Sequence, residues 1–169
     1  PYANSGIVVS VSEKDVPEYL HYGALSLMRF QEKCEQNMYS DRQVAPAQRI
    51  SDFVAGKVSS SLCNSSYPAG LRSTEMSDLL PKFISDSLKQ GFVAFDKKMK
   101  GFVSNDALMI GLESRTSSPV RIPRDKDSLQ HLQLKNLYPC GEGAGYAGGI
   151  TSSAMDGINA AKKIAGSEE

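Results

Sequence analysis

Leu134-Lys-Asn-Leu-Tyr-Pro-Cys140 runs into Gly141-Glu-Gly-Ala-Gly-Tyr-Ala-Gly-Gly149, and Ile150 to Ala165 follows. The first piece is apolar and reads as an extended run. The second places five glycines in nine residues, a density that only a special loop tolerates. The third reads as a helix. Its Ile150, Ala154, Ile158, Ala161 and Ala165 share one narrow stripe of mostly small residues, with Gly157 beside it. Such a stripe predicts close packing on a sheet or a neighbouring helix. Lys162 and Lys163 in the last turn, then Gly166 and a polar tail at 166–169, mark the end.

Gly143-Ala-Gly145-Tyr-Ala-Gly148 fits G-x-G-x-x-G between the expected strand and the expected helix. Glycines there let backbone N–H groups approach a phosphate, and the helix start adds partial positive charge. A complete dinucleotide unit also needs a second strand ending in an acidic residue about 20 positions on. Only 21 residues follow Gly148, and the helix and tail use them. The motif is therefore not a whole nucleotide-binding unit. Two readings stand beside each other: a tight structural corner, and a loop over which a ligand lies. The number of glycines favours the second.

Upstream, Gly6 to Ser12 is short and β-branched and predicts a strand. From Tyr22 to Tyr39, Leu25, Leu27, Met28, Phe30, Cys34 and Met38 recur at helical spacing with charged residues between them, as in an amphipathic helix. A second helix is expected from Pro46 through Ile50, Phe53 and Val54 to Gly56, with proline in its first turn. Ser59 to Gly70 reads as a loop. Ser73 to Pro81 suits a short capped turn, and Pro81 opens a longer helix carrying Phe83, Ile84, Leu88, Phe92 and Phe95 that ends before Gly101. Ala107 to Thr116 reads as a strand, and Ser117 to Pro123 as a second extended piece. Arg124 to Asp127 forms a polar turn. The expected fold class is mixed α+β, with a helical middle between extended flanks.

The chain has 169 residues, 19 basic and 19 acidic side chains, and no net charge. With 40% hydrophobic and 22% charged residues it is globular rather than disordered or fibrous. A pI near 7.2 argues against a general nucleic-acid binder, which needs a positive field. No apolar run reaches the roughly 18–20 residues of a membrane span. Cys34, Cys63 and Cys140 show no C-x-x-C spacing and read as reduced thiols, which favours a reducing intracellular compartment without naming one. His21 and His131 are far apart, so no metal site is expected. The first residue is Pro1 rather than methionine, and the chain reads as a fragment.

Gly111-Leu-Glu-Ser-Arg-Thr-Ser-Ser-Pro-Val-Arg-Ile-Pro-Arg124 and Leu137 to Ile158 closely resemble the C-terminal region of a family of uncharacterised FAD-dependent (NAD/FAD-utilising) dehydrogenases. The resemblance continues more weakly through Ala45-Pro-Ala-Gln48, Asp52-Phe-Val-Ala-Gly56, Phe95-Asp-Lys-Lys and Ala3-Asn-Ser5. It implies FAD as cofactor, with NAD(P)H a possible electron donor, a small-molecule substrate of unknown identity, and no membrane. It also implies that Gly141, Glu142, Gly143, Gly145, Tyr146, Gly148, Gly149 and Ile150 face the flavin. Within that set Glu142 accepts from the ribityl hydroxyls, and the backbone of 148–150 lies at the pyrimidine edge.

By the same resemblance Arg115, Ser117, Ser118 and Arg121 lie near substrate or flavin. An ion pair with Glu113, Asp125 or Asp127 stands as the plainer role for the two arginines. Tyr146 could cover the ring or simply pack. No catalytic residue is singled out. Residues 1–19 would be a remnant strand of a glutathione-reductase-like FAD domain, 20–103 a helical substrate or cap region, and 104–169 the C-terminal segment of the FAD domain. The N-terminal FAD-binding Rossmann half is absent, which makes it the expected partner and predicts an inactive fragment. The competing class is a non-catalytic helical interaction module whose glycine corner is structural. A phosphate-binding module acting alone is a third.

Overall fold

The computed structural model describes residues 2–166; the expected polar tail falls, past Gly166, outside the described residues. The architecture is mixed α+β, with five α-helices and one three-stranded sheet among these residues. The chain divides into two compact units. One comprises 2–12 and Phe30–Ser114, the other Glu13–Arg29 and 115–166.

The first unit is built on β1 (Ala45–Arg49), flanked by β2 (Leu71–Ser73) and β3 (Leu108–Ile110). β1 pairs parallel with β2, Ala45 opposite Leu71, and antiparallel with β3, Ala47 opposite Ile110. The helix expected from Pro46 therefore begins later, as α2 (Ile50–Ala55), and Pro46 sits inside a central strand. Proline is tolerated there because of where it falls. Its carbonyl still accepts from Gly111 N–H at 3.1 Å, and the donor it lacks falls at this last rung, one step beyond β3, so a single terminal bond is lost. Gly56, at φ 67°, closes α2 in a left-handed cap.

The helix expected over 22–39 is α1 (Ser26–Met38), whose Phe30–Met38 part belongs to this unit. α3 (Met76–Leu79) is the predicted short turn, with Glu75 as N-cap accepting from Ser77 N–H. α4 (Lys82–Lys98) starts after Pro81 and buries Ser85, Leu88 and Phe92, one face of a 3.6-residue repeat. Asp96 Oδ1 accepts from the N–H groups of Gly101 and Val103, both at 3.0 Å, and turns the chain after α4.

Met38, Ile50, Phe53, Met76, Leu80, Leu88 and Phe92 form the core, where Phe53 and Phe92 meet edge to face at 5.9 Å. Gln48 of β1 is wholly buried yet fully used. It donates to Lys57 O at 2.9 Å and Glu75 Oε2 at 3.0 Å, and accepts from Met76 N–H at 2.8 Å.

Several expected strands do not form. Residues 6–12 form no strand, and Ile7 and Val9 pack on the core instead. The strand over 107–116 shrinks to β3, because β1 offers it only Ala47 to Arg49 as partners. In the second unit the extended pieces at 117–123 and 134–140 carry no strand; one isolated bridge joins Arg124 and His131. Asn136, at φ 61°, bends the later run out of extended geometry.

The second unit also holds 3₁₀ turns at Glu13–Asp15 and Pro17–Leu25, the latter kinked at Gly23. It ends in α5 (Ile150–Ala165), where the sequence predicts a helix. Its orientation reverses the expectation. Ala160 is the buried residue, whereas Ile150, Ile158 and Ala161 of the apolar stripe are exposed.

Candidate functional site

The glycine loop of the second unit folds through two residues in left-handed conformation, Gly141 at φ 70° and Gly145 at φ 83°. Tyr146 N–H donates to Gly141 O at 3.1 Å and Gly145 N–H to Glu142 O at 2.9 Å, which closes the loop on itself. It then leans on 118–122. Ile122 N–H donates to Ala144 O at 3.1 Å, Arg121 Nε to Gly145 O at 3.0 Å, and Ser118 Oγ to Val120 O at 2.8 Å and to Gly143 O at 3.4 Å.

The glycines divide by role. A Cβ on Gly145 would lie 2.7 Å from Val120 O, a backbone atom that cannot step aside, while Gly143 faces open space. Gly145→Ala is thus expected to cost about 2 kcal/mol from strain at positive φ and the backbone clash. Gly143→Ala should stay within about 0.5 kcal/mol of wild type. Urea titrations of the two variants check the contrast, and equal costs would refute it.

Beyond the loop, Gly149 is the N-cap of α5 in extended conformation, φ −146°, ψ 158°, with no side chain capping the helix. Ser152 Oγ donates to Gly149 O at 3.0 Å, as does Ser153 N–H at 2.8 Å. Gly148, Gly149 and Ile150 are exposed, Ile150 at 94%. An uncapped, exposed helix start presents N–H donors and positive potential to an electron-rich group.

The remaining expected residues gather around this loop. Arg115 Nε lies 3.9 Å from Glu142 Oε1, both partly exposed, so the acidic partner is Glu142 rather than Glu113, Asp125 or Asp127. At that distance and exposure the pair is weak, about 0–1 kcal/mol. Ser117 Oγ would lie 3.4 Å from a Cβ on Gly148. Tyr146 donates its hydroxyl to Ile122 O at 3.0 Å, with the Arg124 guanidinium 3.7 Å and that of Arg121 5.1 Å from its ring centre. Cys140, next to the loop, is free and exposed.

Two residues that pattern reasoning missed hold this arrangement together. Arg124 reaches Asp156 of α5 in a bidentate pair, at 2.9 and 2.7 Å, and donates to Pro139 O at 2.7 Å. Asp156 Oδ2 also accepts from Gly141 N–H at 2.8 Å. Both side chains are largely buried, 10% and 16% exposed. The Arg124 hydrogen bond holds the Asp156 carboxyl below the ordinary aspartate range, with the Gly141 N–H assisting and burial opposing. The available signal was modest: Asp156 stands four residues before Ala160, on one helix face.

Among the described residues no group of three His, Cys, Asp or Glu side chains is placed to hold a metal, and no helix is long and apolar enough to cross a membrane.

Residues 1–116 match the sequence model of a family described as "FAD-dependent protein, C-terminal domain-like". The match ends ahead of the glycine loop. Across 164 residues, 96% of this chain, the sequence is 40% identical to a protein of Clostridium beijerinckii described as "Uncharacterized protein". The chain spans 31% of that relative's length.

Proposed function

The chain belongs to the FAD-dependent protein, C-terminal domain-like family, and on that footing we propose that it is the flavin-facing part of an FAD-dependent oxidoreductase of the dehydrogenase type. FAD, when bound, supplies hydride chemistry. The observation that carries the reading is the uncapped, exposed start of α5 beneath side-chain-free Gly148 and Gly149. Its N–H groups suit the electron-rich edge of a reduced ring, and half-exposed Glu142 suits the ribityl hydroxyls. Arg115 and Arg121 would orient an anionic substrate or the ring carbonyls. Tyr146, tied to Ile122 and the arginines, would shape the loop.

On this reading 1–19 and 104–169 come from the flavin domain and 20–103 from a substrate region. The ADP end of FAD, and any NAD(P)H as donor, would be held by an N-terminal Rossmann half outside these residues. Without that half most contacts to the cofactor are missing, and the 169 residues alone would bind it weakly and be inactive.

An absorbance spectrum tests this. Flavin bands are expected in the full-length protein, with weak or no retention by the 169-residue chain. A full-length protein purified without flavin, and unable to take it up, overturns the reading. Gly149→Ala is the sharper probe, since alanine adopts its backbone conformation and its Cβ would meet only Ser152 Oγ at 3.4 Å. It should weaken flavin binding about tenfold, roughly 1.4 kcal/mol, with stability little changed. The second reading, a structural glycine corner in a non-catalytic interaction module, is favoured by the fit of Gly145 against Val120 O. It predicts unchanged flavin affinity in Gly149→Ala.

A further inference from the structure

The apolar outward face of α5 is left exposed by the described residues of the second unit. Ile150 is 94% exposed, Met155 58% and Ile158 57%, with Ala154, Ala161 and Ala165 exposed on the same side. The opposite face is satisfied: Asp156 is paired with Arg124, and Ala160 is buried. One helix therefore carries two finished chemistries, a polar anchor inward and an aliphatic stripe outward. Aliphatic side chains repeating over the whole length of α5 are more than the scattered exposure normal for a surface.

We propose that this stripe is a docking face for the part of a longer polypeptide that these residues leave unmatched. The proposal rests on the flavoenzyme reading and gives the missing half a specific seat. Three observations choose this occupant. The chain accounts for 31% of the relative's length while 96% of the chain matches it, so a relative with the same segment carries about two further chain lengths of polypeptide. The stripe contains Ala154 and Ala161 beside its isoleucines, a low profile that admits a sheet face or helix at close range. It starts at Ile150, the first residue of the uncapped helix end, so a body seated on it would reach the flavin-facing loop. The seat is apolar, and the matching surface on the occupant is an aliphatic sheet or helix face.

Ile158→Cys, on a background in which Cys140 is serine, reports the seat. A water-soluble maleimide should label position 158 quickly in the 169-residue chain and about tenfold or more slowly in the full-length protein, with the site of modification read by mass spectrometry. Equal rates in the two proteins overturn the proposal. Slow labelling of the 169-residue chain that speeds up on dilution also overturns it, because a second copy then covers the stripe. The flavin reading fails separately. Protection at 158 in a full-length protein that takes up no flavin leaves the docking face standing, and rapid labelling of a flavin-loaded protein removes the face alone.

Discussion

Asp156→Ala is expected to destabilise the second unit by about 3 kcal/mol, since it strips the partner from a largely buried arginine and leaves the Gly141 N–H without its acceptor. One carboxylate serves three ends: both terminal nitrogens of Arg124 and the first glycine of the loop. Loss of Asp156 should therefore release the loop, and hydrogen exchange across 141–149 should speed up in step with the lower urea midpoint. Asp156→Asn keeps an acceptor but no charge, and should fall between wild type and alanine. A cost under about 0.5 kcal/mol for the alanine variant would reduce the pair to a surface contact.

The pH dependence follows from the same bond. Asp156 ionises at lower pH in the folded chain than in the unfolded one, because Arg124 holds the ionised form. Its contribution is complete above the unfolded aspartate value of about 4, and is withdrawn as the pH falls through the lowered folded value. Wild type and Asp156→Asn should differ most near neutrality and converge in acid.

Phe53→Ala should cost about 3–5 kcal/mol, most of the stability an ordinary domain possesses. The Phe53 ring is fully buried, touches Phe92 edge to face, and lies under the Lys89 ammonium at 5.1 Å. Truncation opens a cavity between α2 and α4, which pack on one another. Phe53→Leu refills much of that volume and should recover more than half of the loss. Denaturant melts of the two variants decide this, and similar midpoints for both would place Phe53 outside the folding core.

The helices were legible because each writes its own period. Phe83, Ile84, Leu88, Phe92 and Phe95 define α4, and prolines and glycines punctuate its ends. Of the strands only β3 was, as part of the run over 107–116, because strand formation depends on partners distant in sequence. Ala45-Pro-Ala-Gln48 resembles a helix start and becomes the central strand only because 71–73 and 108–110 line up beside it. Residues 6–12 and 134–140 have β-branched or apolar composition but no such neighbour.

At the glycine loop, glycine density marked the place, but each glycine's role depended on what lay across from it. Val120 O, opposite Gly145, is 25 positions away in sequence. The pairing of Arg124 with Asp156 could not be read for the same reason: an ion pair spanning 32 positions has no local period. α5 was read correctly in extent and wrongly in orientation. An apolar stripe identifies a face that wants cover, and here that cover does not come from the unit that holds the helix.

The sheet has one further consequence, for association. Both of its rims are strands of three residues, β2 and β3, and such stubs are poor templates for another chain's backbone. A solution of these 169 residues should therefore resist growth by strand addition. Any clumping at high concentration should run helix to helix through α5, dissolve with mild detergent, and leave dye tests for cross-β fibrils negative.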